Sequence, residues 1–181
     1  MKKKLFCFAL AVVFTLLCGC SSAEGNISAD DVSESLANPF SARLSVVCGG
    51  NEYCAALTRD ADSTDVLLES PALFKGMLIS FADGANTAVI DYKGISFSLN
   101  SADIPYASAV SAVVGALNSA AAAESLTAFT KDGETVIGGD GFELRFVPSD
   151  GTSDALPFSE ITLNIPDQNI AAHITEFKPA I

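Results

Sequence analysis

From Phe40 onward the chain is written in short alternations of apolar and polar residues. Phe40, Ala42, Leu44, Val46 and Cys48 alternate with Ser41, Arg43, Ser45 and Val47, the period of a strand with one buried face. Gly49-Gly50-Asn51 marks a turn, after which Tyr53, Ala55 and Leu57 carry the pattern to Thr58 and Arg59. A polar connection, Asp60–Asp65, leads to a third strand over Val66–Glu69 that ends before Pro71. Met77, Ile79 and Phe81, then Ala88, Ile90 and Tyr92, then Ile95, Phe97 and Leu99 alternate in the same way between turns at Asp83-Gly84 and Lys93-Gly94. The pattern resumes at Thr135–Gly138, Phe142–Val147, Ile161–Ile165 and Ile170–Phe177.

One stretch breaks the alternation. Tyr106–Phe129, YASAVSAVVGALNSAAAAESLTAF, places Val110, Val113, Val114, Leu117 and Ala121 on one helical stripe. Ala120–Ala123 is an unbroken run of the best helix former, and Pro105 suits a first turn. Gly115, Asn118 and Ser119 are its weak points, where a bend is expected. An open sheet has one apolar face to cover, and this helix is the element available to cover it. The fold class is therefore α+β: a curved antiparallel sheet of about nine or ten strands wrapped over one dominant helix.

The first twenty residues, MKKKLFCFALAVVFTLLCGC, have a different character. Lys2–Lys4 form a basic region, Leu5–Leu17 an apolar core, and small residues follow, as in an export signal. Leu17-Cys18-Gly19-Cys20 resembles the lipobox of bacterial lipoproteins. That resemblance implies cleavage before Cys20 by signal peptidase II and a thioether-linked diacylglycerol on the Cys20 sulfur. Each buried methylene of such acyl chains, palmitate among them, contributes roughly 0.8 kcal/mol to anchoring. The polar stretch SSAEGNISADDVSESLANP then reads as a tether. The expected organisation is a signal peptide over 1–19, a lipidated Cys and flexible tether over 20–38, and a single domain over 39–181. The expected location is the extracytoplasmic face of the cell membrane, lipid-anchored.

Charge narrows the partners. The whole chain has a formal charge of −12. Removing residues 1–19 takes three of its ten basic residues and no acidic one, so 7 Lys+Arg face 22 Asp+Glu, a formal charge of −15. This opposes binding to nucleic acid and to anionic lipid head groups. There is no Trp, but there are twelve Phe, which suit a core or an apolar cavity. Cys48 and Cys54 remain in an exported domain, where a disulfide across their hairpin is the expectation and two packed thiols the alternative.

The order of strands and helix is similar to that of the LolA/LolB-like superfamily, over roughly Phe40–Phe177. The resemblance is carried by Glu69-Ser70-Pro71, Phe74-Lys75-Gly76-Met77, the Gly84 turn and Asp91-Tyr92-Lys93-Gly94, closest in pattern to Gram-positive lipoproteins of that group. It implies an unclosed barrel over a helical plug, with acyl chains bound between sheet and helix.

The sequence offers no convincing chemistry. Asp60, Asp62 and Asp65 lack the Gly and Glu that a calcium loop of the EF-hand type needs; Asp65 and Pro71 stand there instead. Gly138-Gly139-Asp140-Gly141 is not followed by a helix, so it reads as a hairpin turn rather than a phosphate site. His173, the only histidine, has the parity opposite to Ile170, Ala172 and Ile174, which points it to solvent. Carboxylate pairs such as Asp132/Glu134 and Asp140/Glu143 fall at turns and edges. We expect no enzyme, no cofactor and no metal site. Two functions remain. One is a membrane-tethered interaction or sensing module of the cell envelope, with an envelope protein as partner. The other is a carrier or binder of a lipid or other apolar ligand, lined by Phe81, Phe97, Val110, Val114, Leu117, Phe142 and Phe146. Those seven residues serve equally well as solid core.

Overall fold

The computed structural model describes residues 27–82, 87–100, 105–122, 127–131, 134–149 and 156–179. The alternating segments become eleven strands. These are β1 (Phe40–Cys48), β2 (Asn51–Arg59), β3 (Ser63–Ser70), β4 (Leu78–Ala82), β5 (Thr87–Tyr92), β6 (Ile95–Asn100), β7 (Thr127–Lys131), β8 (Glu134–Gly139), β9 (Phe142–Pro148), β10 (Phe158–Ile165) and β11 (Ile170–Pro179). Helix α1 spans Ala29–Ala37, helix α2 spans Pro105–Ala122, and a short 3-10 turn covers Pro166–Gln168. The strands form one antiparallel sheet in the order β6-β5-β4-β3-β2-β1-β11-β10-β9-β8-β7. Chain neighbours are thus sheet neighbours everywhere except across α2, and one further pairing joins the two ends of the strand series. β1 pairs with β11, joining the two meanders at the centre, and α2 carries the chain from one open edge to the other.

The expected α+β architecture is present, with one strand more than the sequence count. The extra strand is β7, TAFTK, whose first residues the helical stretch had absorbed. Thr127, Phe129 and Thr130 are poor helix formers that suit a pleated edge. Within α2 the weak positions have partners. Ser119 Oγ donates to the Gly115 carbonyl at 2.9 Å, and Asn118 accepts from Arg59. The helix runs as one element through Gly115.

Part of the stretch that reads as a tether has regular structure: residues 29–37 form α1. Ser28 caps the helix: its Oγ accepts the Asp31 N–H at 3.1 Å, and Asp31 Oδ2 in turn accepts the Ser28 N–H at 3.1 Å. The Ser28 hydroxyl also donates to Asp31 Oδ2 at 2.7 Å, and this bond first, with the Ser28 N–H second, holds the Asp31 carboxyl below its ordinary 3.8. Only two large apolar residues are needed, because Val32 and Leu36 lie four apart on one face and are fully buried. Ser33 Oγ donates to the Ala121 carbonyl at the end of α2, and Thr135 Oγ1 of β8 donates to the Ile27 carbonyl. The isolated segment is too polar to predict a docked helix; the groove beside α2 supplies its partner.

Two bulges settle which aromatic rings enter the core. On β11 the parity of Ile170, Ala172 and Ile174 would send Phe177 outward. The register slips between Ser41 and Arg43, with Glu176 at φ 55°, and Phe177 turns inward. A slip between Phe158 and Glu160 does the same for Phe158. Phe40, Phe177, Phe158 and Phe146 then form a chain of tilted or edge-on rings with centroids 5.5, 5.1 and 5.3 Å apart.

Leu36→Ala should cost about 2–4 kcal/mol in urea unfolding; a change within about 0.5 kcal/mol would return this segment to the tether. Ser28→Ala should cost about 1 kcal/mol at neutral pH. Because the Asp31 pKa is lowered in the fold, the Ser28–Asp31 contribution is present above the ordinary value of 3.8 and lost as pH falls through the folded value. The gap between wild type and Ser28→Ala should therefore narrow below pH 3.8 in acid titrations followed by circular dichroism.

Candidate functional site

The concave face of the sheet is apolar. Across it run Leu44, Leu57, Val66, Ile79 and Ile90 on one half, and Ile174, Ile161, Phe146 and Leu144 on the other, all buried. Helix α2 lies on this surface with Val110, Val113, Val114, Ala116, Leu117 and Ala120 buried. Of the seven lining candidates, Phe81, Val110, Val114, Leu117 and Phe146 join this single cluster. Here the cluster is filled by α2.

Phe142 stands at the rim, half-buried. Its ring lies across Gly139, its cross-strand partner, so closely that a Cβ at Gly139 would meet the ring at 2.2 Å. With Gly115, Ala116 and Ser119 of α2 and with Asp167, it borders a groove of about 300 Å³ at the mouth of the half-barrel. Phe97 is not brought in. It lies on edge strand β6, opposite Ile90 and so on the concave face, yet is 39% exposed. Ile95 on the same face is 65% exposed. The apolar concave surface thus continues beyond the part that α2 covers.

The one charged side chain on this face among the described residues is Arg59, 7% exposed. Its register neighbours are Phe40 on β1 and Thr64 on β3. Arg59 Nη1 donates to Asn118 Oδ1 of α2 at 2.5 Å. Arg59 Nε and Thr64 Oγ1 are buried and have no partner. A sequence signal for Arg59 exists, since it keeps the parity of Ala55 and Leu57. In the alternation alone it served only to close the strand.

The convex face behaves as a solvated surface. Arg43 contacts Glu69 at 2.7 Å and Glu176 at 3.6 Å, and the neighbouring carboxylates, Glu69 foremost, raise its pKa above the ordinary value. Arg145 contacts Glu143 at 2.7 Å and Glu134 at 4.0 Å. His173 points outward as its parity requires and meets Glu160 on β10. Among the described residues, no group of three or more His, Cys, Asp or Glu could hold a metal ion. Among the described residues, no helix is long and apolar enough to cross a membrane. Asp132 and the lipobox residues Leu17, Cys18, Gly19 and Cys20 lie outside the described residues.

The expected disulfide is not formed; Cys48 and Cys54 are free thiols. Gly49 and Gly50, at φ 56° and 81°, make a two-residue turn that pairs Cys48 with Asn51. Cys54 therefore pairs with Ser45, three positions along the strand from Cys48. An odd separation puts the two sulfurs on opposite faces of the sheet, roughly 10 Å apart along it.

No family model matches the chain, and no curated protein matches it. Solved structures do. A LolA superfamily protein from Nitrosomonas europaea is similar at 8% identity and a TM-score of 0.49, covering 86% of this chain and 95% of that one. A conserved protein from Thermus thermophilus is similar at 12% identity and a TM-score of 0.46, covering 83% of this chain and 84% of that one. LprF from Mycobacterium bovis is similar at 11% identity and a TM-score of 0.37, covering 84% and 92%. The likeness to all three is distant and is one of fold.

Alkylation under denaturing, non-reducing conditions should modify both Cys48 and Cys54, read by peptide mass; a pair that reacts only after reduction would show that the hairpin is bonded.

Proposed function

We propose that this chain is a membrane-tethered, non-catalytic extracytoplasmic domain that binds a lipid or another apolar ligand between its sheet and α2. The tether is the segment ahead of Ile27, held by diacylglycerol on Cys20. The observation that carries the ligand reading is the chemistry of the α2 contact. Pro105–Ala122 contains no charged residue. From Val110 to Ala120 its buried residues are Val, Leu and Ala, and the apolar surface beneath continues onto exposed Ile95 and Phe97.

Such a contact is non-directional, so an acyl chain can replace it. Val110, Val113, Val114 and Leu117 are together worth on the order of 6–12 kcal/mol of transfer free energy. An acyl chain of about sixteen carbons, at roughly 0.8 kcal/mol per methylene, is worth about 12 kcal/mol. The two are similar in size, which is the condition for a helix and a ligand to exchange places. Filling of the same space supports a second reading, the tethered interaction or sensing module. In that case the open edges β6 and β7 are the surfaces a protein partner would extend.

Native mass spectrometry of the chain from Ser21 onward, purified without detergent and then extracted with organic solvent, separates the two. A non-covalent mass that extracts as lipid, or binding of added fatty acid or phospholipid, is the expected result. A clean apo mass with no uptake of added lipid would leave the interaction module.

A further inference from the structure

The chain has three arginines, and the two on the convex face each sit against glutamates. The third, Arg59, is buried, and among the described residues it has no carboxylate within ion-pair distance. This inverts the usual arrangement, in which exposed charges go unpaired and buried ones are matched. It does so in a chain with 22 acidic residues, where carboxylates are in good supply. A guanidinium keeps its charge throughout the physiological range, so it cannot escape the cost of burial by losing a proton.

The surroundings specify what is missing. Arg59 Nε is a buried donor without an acceptor. Across the ladder, Thr64 Oγ1 is also without a partner, on a residue 2% exposed; a hydroxyl there can donate. Asn118 occupies Nη1 from the α2 side. Two unpartnered polar atoms, one of them on a cation, thus sit on paired residues of neighbouring strands under the helix. The flanking residues in the same register row are Phe40 and Phe81, and Leu57 lies two positions back on β2.

We propose that Arg59 and Thr64 form the head-group site of the ligand, and that this head is an anion, a carboxylate or a phosphate, carried on an acyl tail. A guanidinium fork offers paired donors to either oxyanion, and Thr64 adds a third from the next strand. A free inorganic ion lacks the tail that the apolar row would bury. The net negative charge of the chain repels anionic membranes at long range, but this acts little against a single acid already sequestered beside a buried cation. The inference rests on the apolar-ligand reading and adds the class of head group and its residues.

The test uses the chain from Ser21 onward, which keeps the whole buried cluster, and three probes of equal tail: hexadecanoate, hexadecyl phosphate and hexadecanol. Affinities are measured for wild type and for Arg59→Met, a change of similar length that removes an unpaired buried charge and should be tolerated. Wild type should bind one or both anions at least tenfold more tightly than the alcohol, and the better anion identifies the head. Arg59→Met should lose this preference and bind all three alike. Equal binding of the acids and the alcohol by wild type would overturn the anion site and leave the apolar-ligand reading standing. Binding of none of the three would remove both. A preference that survives in Arg59→Met would place the anion elsewhere and overturn the assignment. If circular dichroism shows Arg59→Met unfolded, Arg59→Gln provides the same comparison, and the wild-type preference alone still decides whether an anion is selected.

Discussion

An antiparallel sheet of eleven strands with two open edges has an apolar face, and among the described residues there is no second sheet to hide it. Everything else in this fold follows from the way α2 meets that need. The helix enters from edge strand β6 and leaves toward edge strand β7, so the connection between the two halves of the sheet also serves as its cover. Its small residues let it lie close to the strands, and Val110, Val113, Val114 and Leu117 fill the concavity. α1 then docks beside it through Val32 and Leu36, completing a second layer.

That solution leaves two kinds of surplus. At the β6 edge the apolar face outruns its cover, and Ile95 and Phe97 remain in water. Under the helix, one charge is buried without a counter-charge among the described residues. Neither feature improves the stability of the free domain: exposed apolar area forgoes its transfer energy, and desolvating a cation costs more than one neutral hydrogen bond returns. A domain selected only to be stable would hold Leu or Met at position 59. The same features are complementary to an amphiphile, whose tail takes up apolar area and whose head supplies the missing charge.

Much of this architecture was legible in residue order. The period-two alternations from Phe40 to Phe177 gave the strands their faces. Pro105 and the Val/Ala stripe located α2, and His173 declared itself solvent-facing by parity. Where the pattern misled, the cause was a non-local contact or a slip in register. Val32 and Leu36 are too few to predict a docked helix until a groove exists to receive them. Cys48 and Cys54 look like a hairpin pair until the two-residue turn sets them on opposite faces.

Residue order alone sets the local periods: which segments are strands, which one is the long helix, and where most turns fall. These depend on side-chain spacing and backbone restrictions within a few residues. Three-dimensional packing was needed to pair β1 with β11, to turn Phe177 and Phe158 inward at bulges near Glu176 and Ser159, and to lay Arg59 beneath Asn118 without a carboxylate. A one-residue slip reverses every side chain beyond it. A buried charge is costly only once its surroundings exist. Both are properties of contact between distant segments, so no local pattern could carry them.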